Sequence, residues 1–169
     1  MKNIILIGMP GAGKSTVGVL LAKSLGYDFV DADLVIQKQQ GTKLQNIIDE
    51  RGLDGFKQAE EQALLSINEK KAVIATGGSA VFSAAGMEHL KENGICVYLR
   101  VDEQELIRRL TNINTRGIAC QPGETVAEII AERAVYYNRY ADITVECVGT
   151  TAEQVVGIVI EKLKSEIRS

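Results

Sequence analysis

The chain is poor in the residues that build metal centres and nucleophilic triads. It has one histidine, His89, and three cysteines, Cys96, Cys120 and Cys147, scattered over 169 residues. No pair of them has metal-ligand spacing. A cysteine nucleophile needs a nearby base, and His89 is the only imidazole to supply one. Cys96 and Cys147 sit in apolar runs and read as core thiols, whereas Cys120 lies in a loop-like stretch. There is no run of 18 apolar residues, which argues against a membrane span. The start, Met1-Lys2-Asn3, enters an apolar strand pattern at once, without the layout of a signal peptide, so a cytoplasmic location is expected. The net charge of −3 argues against general nucleic-acid binding, which wants a basic face. Repeats, low-complexity segments and linkers are absent, so residues 1–169 are expected to form one domain. That length buries about 70% of the unfolded surface. No sustained heptad seam is present, and a monomer is the expectation.

What the chain does have is Gly8-Met9-Pro10-Gly11-Ala12-Gly13-Lys14-Ser15, directly after the apolar run Ile4–Ile7. It matches G-x-x-x-x-G-K-[ST] at every fixed position, with a strand pattern before it and a helical pattern, 16–25, after it. Glycines let backbone N–H groups turn inward around phosphate oxygens, and the helix N-terminus adds partial positive charge. Lys14 can reach the β- and γ-phosphates and the Ser15 hydroxyl can ligate Mg²⁺. The chain is therefore expected to bind a nucleoside triphosphate.

Short apolar runs alternate with helical patterns along the rest of the chain. Strands are expected at 4–7, 28–30, 72–75, 95–99 and 143–146. Helices are expected at 16–25, 34–40, 44–51, 55–68, 83–93, 103–110, 126–140 and 152–165. This alternation predicts an α/β fold: a three-layer α/β/α sandwich around a mostly parallel five-stranded sheet. The polar stretch at about 112–124 reads as a lid-like loop. In such sheets ligands gather at the carboxyl ends of the strands. Three candidates fall there: the phosphate loop, Asp31-Ala32-Asp33, and Thr76-Gly77-Gly78-Ser79. On an extended segment Asp31 and Asp33 point the same way. One can help hold Mg²⁺ while the other accepts a hydroxyl proton; alternatively, one or both cap the helix near Leu34. Gly77 and Gly78 permit close backbone approach, and Ser79 can cap the next helix. Arg108, Arg109, Arg116, Arg133 and Arg139 are candidate phosphate or carboxylate ligands, although each alone also reads as a surface charge. Lys57, three and four residues before Glu60 and Glu61, fits a surface ion pair.

With these residues placed, the chain resembles the shikimate kinase family over nearly its whole length. Gly8–Thr16 resembles the family's phosphate loop, Phe29–Asp33 its paired-aspartate turn and Gly55–Glu60 its substrate-site helix. Ala75–Val81 resembles its Gly-rich turn. Thr115–Arg116 and Glu132–Asp142 resemble its lid arginine and the helix after it. The resemblance implies that Gly11, Ala12, Gly13, Lys14, Ser15 and Thr16 hold the ATP phosphates. Arg109 would flank the adenine and Arg116 would reach in from the lid. Ser15 and Asp31 would hold Mg²⁺. Asp33, Lys57, Gly77, Gly78, Ser79 and Arg133 would form the acceptor site, with Lys14, Asp33 and Arg116 acting in catalysis. Several positions depart from the family pattern. Lys57 replaces an arginine, Ser79 a glycine and Gly117 a proline. Val135 also replaces a proline, and Arg139 stands where an acidic residue is common. All lie at the acceptor side or lid. The resemblance thus implies an ATP- and Mg²⁺-dependent kinase for a small carboxylated alcohol, shikimate first. The alternatives are another hydroxy acid or polyol, as in gluconate-kinase-like enzymes, or a nucleotide-binding module without catalysis.

Overall fold

A computed structural model describes residues 2–112, 123–147 and 149–168. Five strands form one parallel sheet: β1 (Asn3–Ile7), β2 (Asp28–Asp31), β3 (Ala72–Ala75), β4 (Gly94–Arg100) and β5 (Ile143–Glu146), in the spatial order β2-β3-β1-β4-β5. Ile4 to Ile7 are all buried. A strand covered on both faces reads as a continuous apolar run rather than an alternating one. The helices are α1 (Lys14–Leu25), α2 (Ala32–Gln40), α3 (Leu44–Ser66), α4 (Ala84–Lys91), α5 (Glu103–Asn112), α6 (Val126–Tyr140) and α7 (Ala152–Arg168). The expected three-layer α/β fold is thereby met. The expected lid falls almost wholly on 113–122, outside the described residues, and Asn112 ends α5.

Local chemistry accounts for the helix boundaries. Asp31 is the N-cap of α2, its Oδ1 accepting from the backbone N–H groups of Asp33 and Leu34. Thr125 and Glu128 close a reciprocal capping box on α6. Thr151 and Gln154 make the equivalent pair at the start of α7. Gly52, at φ 72° and ψ −175°, breaks α3 between the two helical segments expected from the sequence. Ser79 does not cap a helix. A single 3-10 turn, Ala80–Phe82, intervenes, and Ser83 caps α4 by accepting from Gly86 N–H. The sequence pattern carries no signal for that turn.

The main core lies between the sheet and its flanking helices, and a second cluster of Ile36, Ile47, Phe56, Ala59 and Ala63 joins α2 to α3. Ala63 feeds the second cluster and Leu64 the main one, so α3 ties the two together. Cys96 and Cys147 are buried free thiols, as expected of core cysteines. Burial pushes the Cys96 thiol up to about 12. Cys120 lies outside the described residues. Leu64 is 0% exposed and its neighbour Leu65 42%. Leu64→Ala is expected to cost about 2–5 kcal/mol, whereas Leu65→Ala should change stability by less than about 1 kcal/mol. Urea unfolding of the two variants side by side checks this.

Candidate active site

The phosphate loop leaves the end of β1 and enters α1 through Gly13, whose φ of 90° and ψ of 20° put it in the left-handed region. A side chain is strained there, which explains a glycine directly before Lys14. The Lys14 ammonium is folded back over the loop, donating to the Gly8 carbonyl at 2.6 Å and the Met9 carbonyl at 2.8 Å. It is buried, and burial pulls it down to about 8. Asp33 and Asp31 work against that shift and Arg133 adds to it. Ser15 and Thr16 are exposed at the mouth.

Ser15 Oγ lies 3.4 Å from Asp31 Oδ2, so the two residues expected to hold a metal face each other across the loop. One hydroxyl and one carboxylate suit Mg²⁺, which keeps several waters and takes its other ligands from phosphates. Among the described residues there is no cluster of three or more His, Cys, Asp or Glu that could hold an ion without a nucleotide. Asp31 caps α2 with Oδ1 and turns Oδ2 toward Ser15, so capping leaves one oxygen directed at the expected metal position. Asp33 differs from the expectation in its backbone. It sits in the first turn of α2, not on an extended segment, so helical rather than strand geometry sets its side chain. Its carboxyl is held above the usual range by burial and by Asp31, with Lys14 opposing.

The Gly-rich turn after β3 is fixed from two directions. Thr76 Oγ1 donates to the Leu6 carbonyl of β1, and the Tyr137 hydroxyl of α6 donates to the Gly78 carbonyl at 2.6 Å. A Cβ on Gly78 would lie 2.6 Å from Pro10 Cδ and 2.8 Å from Arg133 Nη1. A Cβ on Gly77 would lie 2.6 Å from Asp33 Oδ1 and 3.0 Å from Glu60 Oε2. The missing side chains are therefore what let Pro10, Arg133, Asp33 and Glu60 converge. Together with Lys14, Ser15, Phe56 and Ser79 these residues line one cavity of about 390 Å³.

Glu60, Phe82 and Tyr137 were not singled out as expected site residues. Glu60 is 2% exposed and lines the cavity, with its Oε1 accepting from Ser79 Oγ at 2.7 Å. Burial pushes its carboxyl up to about 7. The Ser79 bond opposes that shift, Asp33 adds to it, and Arg133 and Lys57 oppose it. One sequence signal was available: Glu60 is four residues after Phe56, on the apolar stripe of α3, where a charge is out of place. The surface pairing considered for Lys57 is not seen. Glu61 accepts from Ser83, and the Lys57 ammonium lies 5.1 Å from the centroid of the Phe82 ring.

Arg109 packs against the outer side of the phosphate loop. Its Nη1 donates to the Gly11 carbonyl at 2.7 Å and its Nε to Glu105. It borders a second cavity of about 490 Å³ with Asp102, Gln104, Arg108, Gly149 and Thr150. Arg108 forms a bidentate pair with Glu105 on the surface. Arg116 and Gly117 lie outside the described residues.

The shikimate kinase family profile matches residues 10–164. A shikimate kinase from Thermodesulfovibrio yellowstonii is 38% identical over 165 residues, covering 96% of this chain and 95% of that protein. The chain belongs to the shikimate kinase family. Among solved structures, shikimate kinase from Acinetobacter baumannii in complex with shikimate has a TM-score of 0.86 at 30% identity, covering 98% of this chain and 94% of that one. Shikimate kinase from Aquifex aeolicus has a TM-score of 0.84 at 30% identity, with 98% of each chain covered. Shikimate kinases are ATP-dependent phosphotransferases that act on a hydroxyl group, and this chain is such an enzyme.

The Lys14 ammonium of the phosphate loop is buried, so nucleotide binding should depend on pH. A lysine whose pKa is lowered is charged below that value and neutral above it. Affinity for a nucleoside triphosphate should therefore fall as pH rises through about 8. Calorimetric titration from pH 6.5 to 9.5 checks this, and a flat profile contradicts it.

Proposed function

We propose that the protein transfers the γ-phosphoryl group of MgATP to a hydroxyl of shikimate, giving shikimate 3-phosphate. The observation that carries this reading is the meeting of phosphate loop, Asp33 carboxylate and Arg133 guanidinium in one cavity. It is supported by the extent of the family match. A monomeric, cytoplasmic, single-domain enzyme of aromatic amino-acid (chorismate) biosynthesis belongs to the same reading.

The chemistry follows from the positions of the groups. Backbone N–H groups of residues 11–16 cradle the triphosphate, and Lys14 exchanges its two loop carbonyls for phosphate oxygens. Ser15 and Asp31 would hold Mg²⁺, which neutralises charge on the phosphate oxygens. On the acceptor side Arg133 grips the carboxylate, with Lys57 as a second cation. The close backbone of Gly77 and Gly78 shapes the floor. Asp33 accepts the proton of the attacking hydroxyl while the new oxygen–phosphorus bond forms and the bond to the β-phosphate oxygen breaks. Burial makes Asp33 a better base than an ordinary aspartate, because its charged form is less well solvated. Arg109 flanks the adenine from the second cavity. Arg116, on the expected lid, is assigned to the ATP phosphates by the family resemblance alone.

ADP release with MgATP tests the reading, with shikimate set against gluconate, other polyols and nucleoside monophosphates. Stimulation by shikimate alone is the expected result, and stimulation by another acceptor instead overturns it. Asp33→Asn should lower kcat by about 100-fold or more while leaving nucleotide affinity within about threefold. A large loss of nucleotide affinity would make Asp33 a metal residue instead.

A further inference from the structure

Phe82 has no role in the chemistry above, yet Arg133, which lines the cavity, and Lys57, which does not, both lie over its ring. Lys57 Nζ is 5.1 Å from the ring centroid and Arg133 Cζ is 5.7 Å from it. Both fall inside the distance at which a cation is attracted to an aromatic face. The ring is itself held by α6. Tyr136 meets it edge to face, with centroids 4.9 Å apart and planes at 73°, and Arg139 lies 5.0 Å over the Tyr136 ring. The 3-10 turn that carries Phe82 follows Ser79 directly, so the ring is anchored to the Gly-rich floor of the cavity.

We propose that Phe82 is a positioning residue for the acceptor's anionic group, its ring holding Lys57 beside Arg133 so that both cations meet one carboxylate. The inference rests on the functional reading above. Its physical reason lies in the difference between lysine and arginine. A guanidinium is a planar fork that orients itself on a carboxylate, whereas an ammonium is a point charge on a flexible, rotamer-rich stem. A lysine at position 57 therefore has little to fix its direction unless a neighbour does so. The Phe82 face is such a neighbour, with the ammonium 5.1 Å from its centroid, and the Glu60 carboxyl also feels the Lys57 charge. A ring can confine the stem without neutralising the charge, which a carboxylate partner would do. It attracts the cation and still leaves it able to bind an anion. The departure at Lys57 and the aromatic at Phe82 are thus one feature, a point-charge anion site with an aromatic backstop.

The test separates the electrostatics of the ring from its bulk. Mono-, di- and trifluorophenylalanine placed at position 82 of the full chain withdraw charge from the ring face in steps while nearly keeping its shape. The KM for shikimate should climb with each fluorine, by about threefold to tenfold across the series, with kcat and the KM for MgATP unchanged. A flat or falling KM overturns the proposal. So does a raised KM in Phe82→Leu with no trend in the fluorinated series, because that pattern marks packing alone. A second readout needs no turnover. The Lys57 ε-methylene protons should be shifted upfield by the ring in the free protein, and the shift should vanish in Phe82→Leu. Absence of that shift in the unsubstituted protein also overturns the proposal. Lack of shikimate-stimulated turnover in the unsubstituted enzyme would instead count against the functional reading, and the proton shift would still decide the ring contact.

Discussion

Burial of unlike charges around the Gly-rich turn is the constraint on which the rest of the site depends. Arg133, Glu60 and Lys14 are 2%, 2% and 8% exposed. None could be desolvated alone, since an isolated buried charge is strongly disfavoured and an unpaired survivor destabilises the fold. They tolerate burial because α1, α2, α3 and α6 all deliver charge to one place. That requirement explains why the floor between them is Gly77-Gly78, where a single Cβ would strike Asp33 and Pro10. It also explains why Tyr137 is sealed beneath that floor, holding the Gly78 carbonyl. The parallel sheet supplies the common edge. The charges supply the reason that the helices must meet it at these points.

The same arrangement divides the cavity into two halves with different tolerance for change. The phosphate-loop side is built from backbone and one lysine, and there the constraint is conformational, as at the left-handed Gly13. The opposite half takes side chains from several elements; of the departures named from the family resemblance, Ser79 lines the cavity, whereas Lys57 does not and Val135 is exposed. Ser79 shows how such a change can be absorbed. Its hydroxyl donates to the buried Oε1 of Glu60, so the added atom satisfies a carboxylate instead of crowding the pocket. Lys57 rests its ammonium on an aromatic face, and its charge also acts on the Glu60 carboxyl.

Much of this was legible in the sequence, for reasons that differ by residue. The phosphate loop was readable because its glycines and lysine are demanded by backbone geometry at fixed spacing. The alternation of strands and helices was readable from apolar periodicity. Asp31 and Asp33 both line the cavity, but the start of α2 fell two residues earlier than its apolar pattern suggested, so strand geometry does not set the direction of Asp33. Ser79 looked like a helix cap because the 3-10 turn after it has no periodic signature. Glu60 and Phe82 were hidden for a deeper reason. Their partners, Ser79 for one and Lys57 and Arg133 for the other, lie far along the chain, and no local pattern encodes a contact across elements. Only the misplaced charge on the stripe of α3 pointed to Glu60.

The most direct test of a charge cluster governed by burial is to titrate one of its members. Carbon-13 NMR of the Glu60 side-chain carboxyl in the free protein should give a midpoint near 7, because burial beside Asp33 outweighs the help from Ser79, Arg133 and Lys57. A midpoint at or below the ordinary glutamate range, about 4.3, would mean that burial does not outweigh the neighbouring cations and would contradict this account of the cluster.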